Sequence, residues 1–171
     1  MRKIALLLFL FSTTSTFAQT EFQIITDEKS GKPMLVGITD REAYRDTNFS
    51  SWFDTEYQNY LVDTLSVIGL KEKINDFKVT IVLGTWCGDS KREVPRLLKI
   101  FDIIEMQKEN YTFINVDRQK KGMTTEADGM NIMLVPTMIF YKDGNEIGRI
   151  IETPAETLEI DLINILKFYC E

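Results

Sequence analysis

The chemistry open to this chain turns on one stretch, Gly84-Thr85-Trp86-Cys87-Gly88-Asp89-Ser90-Lys91-Arg92-Glu93-Val94-Pro95. Cys87 stands where an apolar run gives way to a helical pattern. A helix N-terminus gathers unpaired backbone N–H groups and a partial positive charge, so a thiol there is favoured as thiolate, the form that attacks disulfides. A second thiol three positions on would let the cysteine release its own adducts. That position is Ser90, and a hydroxyl cannot displace a mixed disulfide. Asp89 suits the helix dipole while opposing thiolate formation at its neighbour. Ser90-Lys91-Arg92-Glu93 also fits a capping box ahead of an apolar face, which gives Ser90 a structural duty. Cys87 could serve merely as a small hydrophobe, but a helix start between tryptophan and glycine is a poor place for a packing residue.

The inventory excludes several alternatives. The 171 residues contain two cysteines, Cys87 and Cys170, and no histidine. An imidazole base, a Ser-His-Asp triad and a His-ligated metal are therefore ruled out.

The elements that must position Cys87 follow from periodicity. Val79 to Leu83 is an almost wholly apolar, β-branched run, as expected of a central strand covered on both faces. Helical spacing follows in Val94, Leu97, Leu98, Phe101 and Ile104. Thr112 to Val116 and Thr137 to Tyr141 read as further strands, and Asp143-Gly144 as a hairpin turn into Ile147 to Ile151. Thr153-Pro154-Ala155-Glu156 reads as the capped start of a closing helix whose apolar face is Leu158, Leu162, Ile165, Leu166 and Tyr169. The expected fold class is α/β: a central mixed sheet flanked by helices, with a crossover between the first two of these strands.

Ahead of this lies a strand and helix extension, residues 19–74, expected to pack on the main domain of residues 75–171. Phe22 to Ile25 and Met34 to Ile38 read as a strand pair. Tyr57, Tyr60, Leu61, Leu65 and Ile68 recur at helical spacing between Asp54 and Ile68. Trp52 and Phe53 could form a recognition patch, but core packing is the preferred reading. The first 18 residues, with Arg2-Lys3, an apolar run from Ile4 to Phe11 and a small-residue end at Ala18, have the layout of a secretory signal peptide. The apolar run is far shorter than the roughly 20 residues that span a bilayer. The expected location is thus exported, periplasmic or secreted. Formal net charge is -6; the leader carries two positive charges and no acid, so the remainder carries -8. Such a surface repels phosphate backbones and anionic lipid, which argues against nucleic-acid and membrane partners. Arg118-Gln119-Lys120-Lys121, locally basic, reads as a solvated loop that could also meet an acidic partner.

Trp86-Cys87-Gly88-Asp89-Ser90, Pro95 eight residues after the cysteine, Val135-Pro136-Thr137 before a strand, and the Lys142-Asp143-Gly144 hairpin together resemble the thioredoxin-like superfamily. The resemblance covers roughly residues 75–168, and more narrowly the chain resembles exported members with the phrase GTWCGDSxREVP. It implies that Cys87 is the attacking thiol, that Val135-Pro136 is a cis peptide, that Pro95 kinks the helix, and that Trp86 forms part of the rim. Trp86, Gly88, Asp89, Val135 and Pro136 would line the substrate groove, where the backbone before the proline pairs with an extended peptide. It implies protein or small-molecule thiols and disulfides as partners, and no cofactor. Two departures matter: Ser90 stands for the resolving cysteine, and Ile81 stands where the family carries a buried acid. In this fold the closing helix, on the order of 20 Å long from Pro154, descends away from the nucleophile. An internal Cys87–Cys170 disulfide is therefore not expected.

Two functions follow. One is single-thiol exchange, in which Cys87 forms mixed disulfides that an outside thiol resolves. The other is a non-catalytic module that binds peptides in the same groove. A peroxidase of the peroxiredoxin type is weaker, because Gly84 stands where a threonine is needed. Metal binding of the monothiol glutaredoxin type is opposed by Trp86 and by export.

Overall fold

The computed structural model describes residues 22–169. The segment read as a signal peptide and Cys170 lie outside them.

Strand β3 (Phe77–Leu83) is the axis of the molecule. Its neighbours are β4 (Tyr111–Asn115), parallel to it, and β5 (Thr137–Lys142), antiparallel to it. Because strand side chains alternate between faces, Val79, Ile81 and Leu83 enter the main core while Val82 turns to a smaller cluster on the other face. β6 (Asn145–Ile151) returns antiparallel to β5. The turn between them places Asp143 and Gly144 at φ 51° and 79°, the paired left-handed geometry of a type I′ hairpin, which Asp-Gly tolerates best.

The extension completes the sheet. Strands β1 (Phe22–Thr26) and β2 (Pro33–Thr39) form a hairpin, and β2 pairs antiparallel with β4. The six strands thus run in the order β1-β2-β4-β3-β5-β6, a mixed sheet with helices α1 (Ser50–Asn59), α2 (Thr64–Val67), α3 (Gly88–Ile103) and α4 (Leu158–Leu166). Val94, Leu97, Leu98 and Phe101 form the buried stripe of α3. Each such side chain contributes about 1.5–3 kcal/mol on burial, which holds the helix start at a fixed place above the sheet. α1 packs on α3, and the Arg96 guanidinium reaches Glu56 with bonds of 2.7 and 2.9 Å.

Three expected helix boundaries are corrected. The single helix from Asp54 to Ile68 is two. α1 ends at Asn59, and α2 starts anew where the Asp63 carboxylate accepts the Ser66 N–H at 3.3 Å. Leu61 and Leu65, which recur at helical spacing, are each 90% exposed. What fixes the break is Glu159, buried on α4, which accepts from the Tyr60 hydroxyl at 2.9 and 3.0 Å and from the Asp63 N–H at 3.2 Å. The closing helix starts not at Thr153-Pro154 but after Thr157, whose hydroxyl accepts from the Ile160 N–H. The N–H groups of Ala155 and Glu156 go instead to the Asp161 carboxylate. The third correction concerns Ser90.

Candidate functional site

Cys87 is the N-cap of α3, in extended backbone at φ -89° and ψ 132°. Its N–H donates to the Gly84 carbonyl at 2.8 Å, and its own carbonyl accepts from Lys91 N–H at 3.1 Å. These bonds close the strand-to-helix turn and fix the Cα. The thiol is free and half-buried. It donates to the Val135 carbonyl at 3.1 Å, and Val135-Pro136 is a cis peptide. Val135 and Pro136 are buried, so the sulfur sits against a fixed backbone wall. The site therefore joins two segments 48 residues apart in sequence.

Ser90 does not cap. It lies within the first turn of α3, entirely buried, and its hydroxyl accepts the Gly84 N–H at 3.2 Å. The expected capping box with Glu93 is absent, because the chain enters the helix three residues earlier, at Cys87. Glu93, also buried, instead accepts from Arg92 Nε at 2.6 Å. Gly88 is exposed, and Asp89 pairs with Arg92 at 2.8 Å, so its charge is shared with a cation on the same helix. Ile81 is fully buried in the main core, an apolar side chain with no proton to give or take.

Trp86, next to Cys87 in the chain, is half-buried, with its indole N–H donating to the Val116 carbonyl at 2.9 Å. Gly84 makes room for the ring: a Cβ there would lie 2.6 Å from Trp86 Cε2 and Nε1. Over the ring stands Arg118, its guanidinium carbon 4.7 Å from the centroid. Arg118 is not a solvated loop residue. Its Nε and Nη2 donate to the two oxygens of Asp27, each at 2.7 Å, and Asp27 is only 1% exposed. Hydrogen bonding from Arg118, and then from Ser30, holds the Asp27 carboxyl well below the usual carboxylate range. No local pattern marks Asp27, and Arg118 reads only as part of a basic loop; 91 positions separate the two.

Lys91, one turn into α3, is half-buried with its Nζ 5.9 Å from the Trp52 ring centroid. Desolvation pushes its ammonium below the ordinary lysine value, the charge of Lys32 pushes in the same direction, and Cys87 opposes both. Arg118 also lies within electrostatic reach of Cys87. Among the described residues, no cluster of three or more acidic or cysteine ligands could hold a metal, and no helix is long and apolar enough to cross a membrane.

A thiol at a helix start beside a cis-proline, on a mixed sheet with parallel central strands, defines the thioredoxin fold class. The thioredoxin family model matches residues 69–164, more than half of the sequence, and the chain belongs to that family. It is 31% identical over 88 residues to the mitochondrial thioredoxin-2 of Schizosaccharomyces pombe, a match covering 50% of this chain and 62% of that protein. It is 29% identical over 79 residues to the thioredoxin of Chlamydia pneumoniae, covering 46% and 72%. The match thus spans less than two thirds of the fission-yeast protein. A solved structure of a Pseudomonas aeruginosa protein of unknown function shares the fold, with a TM-score of 0.50 at 15% identity over 77% of this chain and 81% of that one.

Proposed function

We propose that this protein is an exported, single-thiol exchange protein. The Cys87 thiolate attacks a disulfide, one sulfur of which becomes bonded to Cys87 while the other leaves as thiolate. The resulting mixed disulfide waits for an outside thiol. The observation that carries the reading is the half-buried, free Cys87 sulfur at the start of α3, 3.1 Å from the carbonyl preceding cis Pro136. Reversible exchange needs an accessible nucleophile beside a surface that can align a peptide.

Ser90 shapes the outcome. Buried and bonded to Gly84, it offers no thiol to close the cycle. The protein therefore shuffles disulfides, removes thiol adducts or captures clients, and leaves resolution to others. The leader-like N-terminus supports export, and an oxidising compartment supplies disulfides to attack. The test is trapping: in cells expressing the protein, disulfide-linked clients should be recovered through Cys87 and lost in Cys87→Ser.

The fully buried Ile81 and Ser90, in place of an acid and a second thiol, favour the alternative of a non-covalent peptide-binding module. Full complementation of a deletion strain by Cys87→Ser would select it.

A further inference from the structure

The N-terminal hairpin does more than widen the sheet. With α3 and the loop after β4 it encloses a cleft of about 390 Å³ whose lining includes Thr85 and Trp86, the two residues before Cys87, and Lys91, one turn after it, together with Asp27, Lys32 and Arg118. That lies within the range of small-molecule sites, roughly 300–1,000 Å³. Its charge is unlike the rest of the molecule. On a chain of net charge -6, three cations and one carboxylate face this space. The carboxylate, Asp27, is already committed to Arg118. Neither Lys32 nor Lys91 makes an ion pair or a side-chain hydrogen bond among the described residues, although the two repel one another. Two ammonium groups without an ionic partner among the described residues, Lys91 half-buried and Lys32 exposed, fit an anion.

The outside thiol that the site needs has to approach the Cys87 sulfur. We infer that the cleft between the N-terminal hairpin and the start of α3 binds the carboxylate of a small acidic thiol, with Lys32 and Lys91 as its cationic partners, and so selects the thiol that resolves Cys87 adducts. This rests on thiol exchange at Cys87. The incoming thiol gives its proton to solvent, and its thiolate attacks the Cys87 sulfur. The new bond joins Cys87 to the small thiol while the client leaves as thiolate and takes up a proton. A second small thiol then attacks the first, freeing Cys87 and leaving a small-molecule disulfide. Two small thiols are oxidised, and one mixed disulfide is reduced. An acidic peptide would compete for the same cations, but the bounded volume favours the small molecule.

The test starts from protein whose Cys87 carries a neutral methylthio group. The rate of its release, read at Cys87 by peptide mass, is compared for mercaptosuccinate, 2-mercaptoethanol and cysteamine, each corrected to its thiolate concentration. At low salt mercaptosuccinate should exceed 2-mercaptoethanol by about tenfold, as two surface attractions of this kind supply, and cysteamine should be slowest. In Lys32→Gln/Lys91→Gln the acidic-to-neutral ratio should fall by about tenfold, and in Lys32→Glu/Lys91→Glu, where repulsion replaces attraction, it should fall further. Equal rates for the acidic and neutral thiols, or a ratio that survives the lysine substitutions, would overturn the inference. If Cys87 cannot be loaded at all, thiol exchange itself fails. The cleft is then judged by tryptophan fluorescence with S-methylmercaptosuccinate. Saturable quenching that the lysine variants lose supports an anion site, and the absence of saturation refutes it.

Discussion

Ser90→Ala isolates the duty that the structure gives to this residue. The hydroxyl is completely buried and accepts the Gly84 N–H at 3.2 Å. Gly84 is itself buried, between the end of β3 and the turn that carries Trp86 and Cys87. Without the hydroxyl that N–H has no acceptor and no access to water. A buried unpaired donor costs about 1–3 kcal/mol, and the missing oxygen leaves only a small void. The expected destabilisation is thus about 2 kcal/mol, or a drop of about 4–8 °C in the unfolding midpoint for a domain of this size. Urea unfolding should show a lower midpoint with an unchanged slope, since native compactness is unaltered. Ser90→Cys should lose less, because sulfur is a weak acceptor of similar size. It should also convert a persistent Cys87 adduct into an internal 87–90 disulfide, detectable by peptide mass. A Ser90→Ala protein within about 0.5 kcal/mol of the parent would refute the structural role of the hydroxyl.

Other substitutions test the surroundings of the site. Gly84→Ala would set a Cβ 2.6 Å from the Trp86 ring. It should displace the indole from the Val116 carbonyl, shift tryptophan emission to the red, and cost about 1–3 kcal/mol. Arg118 depresses the Asp27 carboxyl below its ordinary value of 3.8. The stabilisation from that pair is therefore fully present above that value and lost as pH falls below it, and Asp27→Asn should flatten the acid limb of a stability–pH curve. Glu159→Ala leaves the Tyr60 hydroxyl and the Asp63 N–H without their acceptor. It should destabilise by about 2 kcal/mol and raise hydrogen exchange in α2 first.

Where local residue types dominate, the sequence was readable. The alternation of Val79, Ile81 and Leu83, the paired left-handed turn at Asp143-Gly144, and the junction at Cys87 all depend on neighbours a few positions away. The errors arose where a distant group intervened. The spacing of Tyr57, Tyr60, Leu61 and Leu65 matches a helix, yet Glu159, about 100 residues later, takes Tyr60 and the Asp63 N–H and ends it. Thr153 has the type of a cap, but the Asp161 carboxylate holds the N–H groups that a cap there would need, and Thr157 begins the helix instead. Ser90 reads as a cap by pattern, and only the position of the Cys87 turn reveals that its hydroxyl faces back to Gly84. The Asp27–Arg118 pair and the lysine-lined cleft depend on β2 docking against β4, a long-range pairing that no short window contains.

The central claim is that Cys87 forms a bond it cannot break by itself. The direct measurement mixes reduced protein with one equivalent of two peptides joined by a disulfide, removes the peptide thiol released by the attack, and follows the Cys87 peptide by mass over time. The account predicts an adduct at Cys87 that persists until a thiol is added, then disappears, and never forms in Cys87→Ser. No adduct, or an adduct that decays without added thiol, would contradict it.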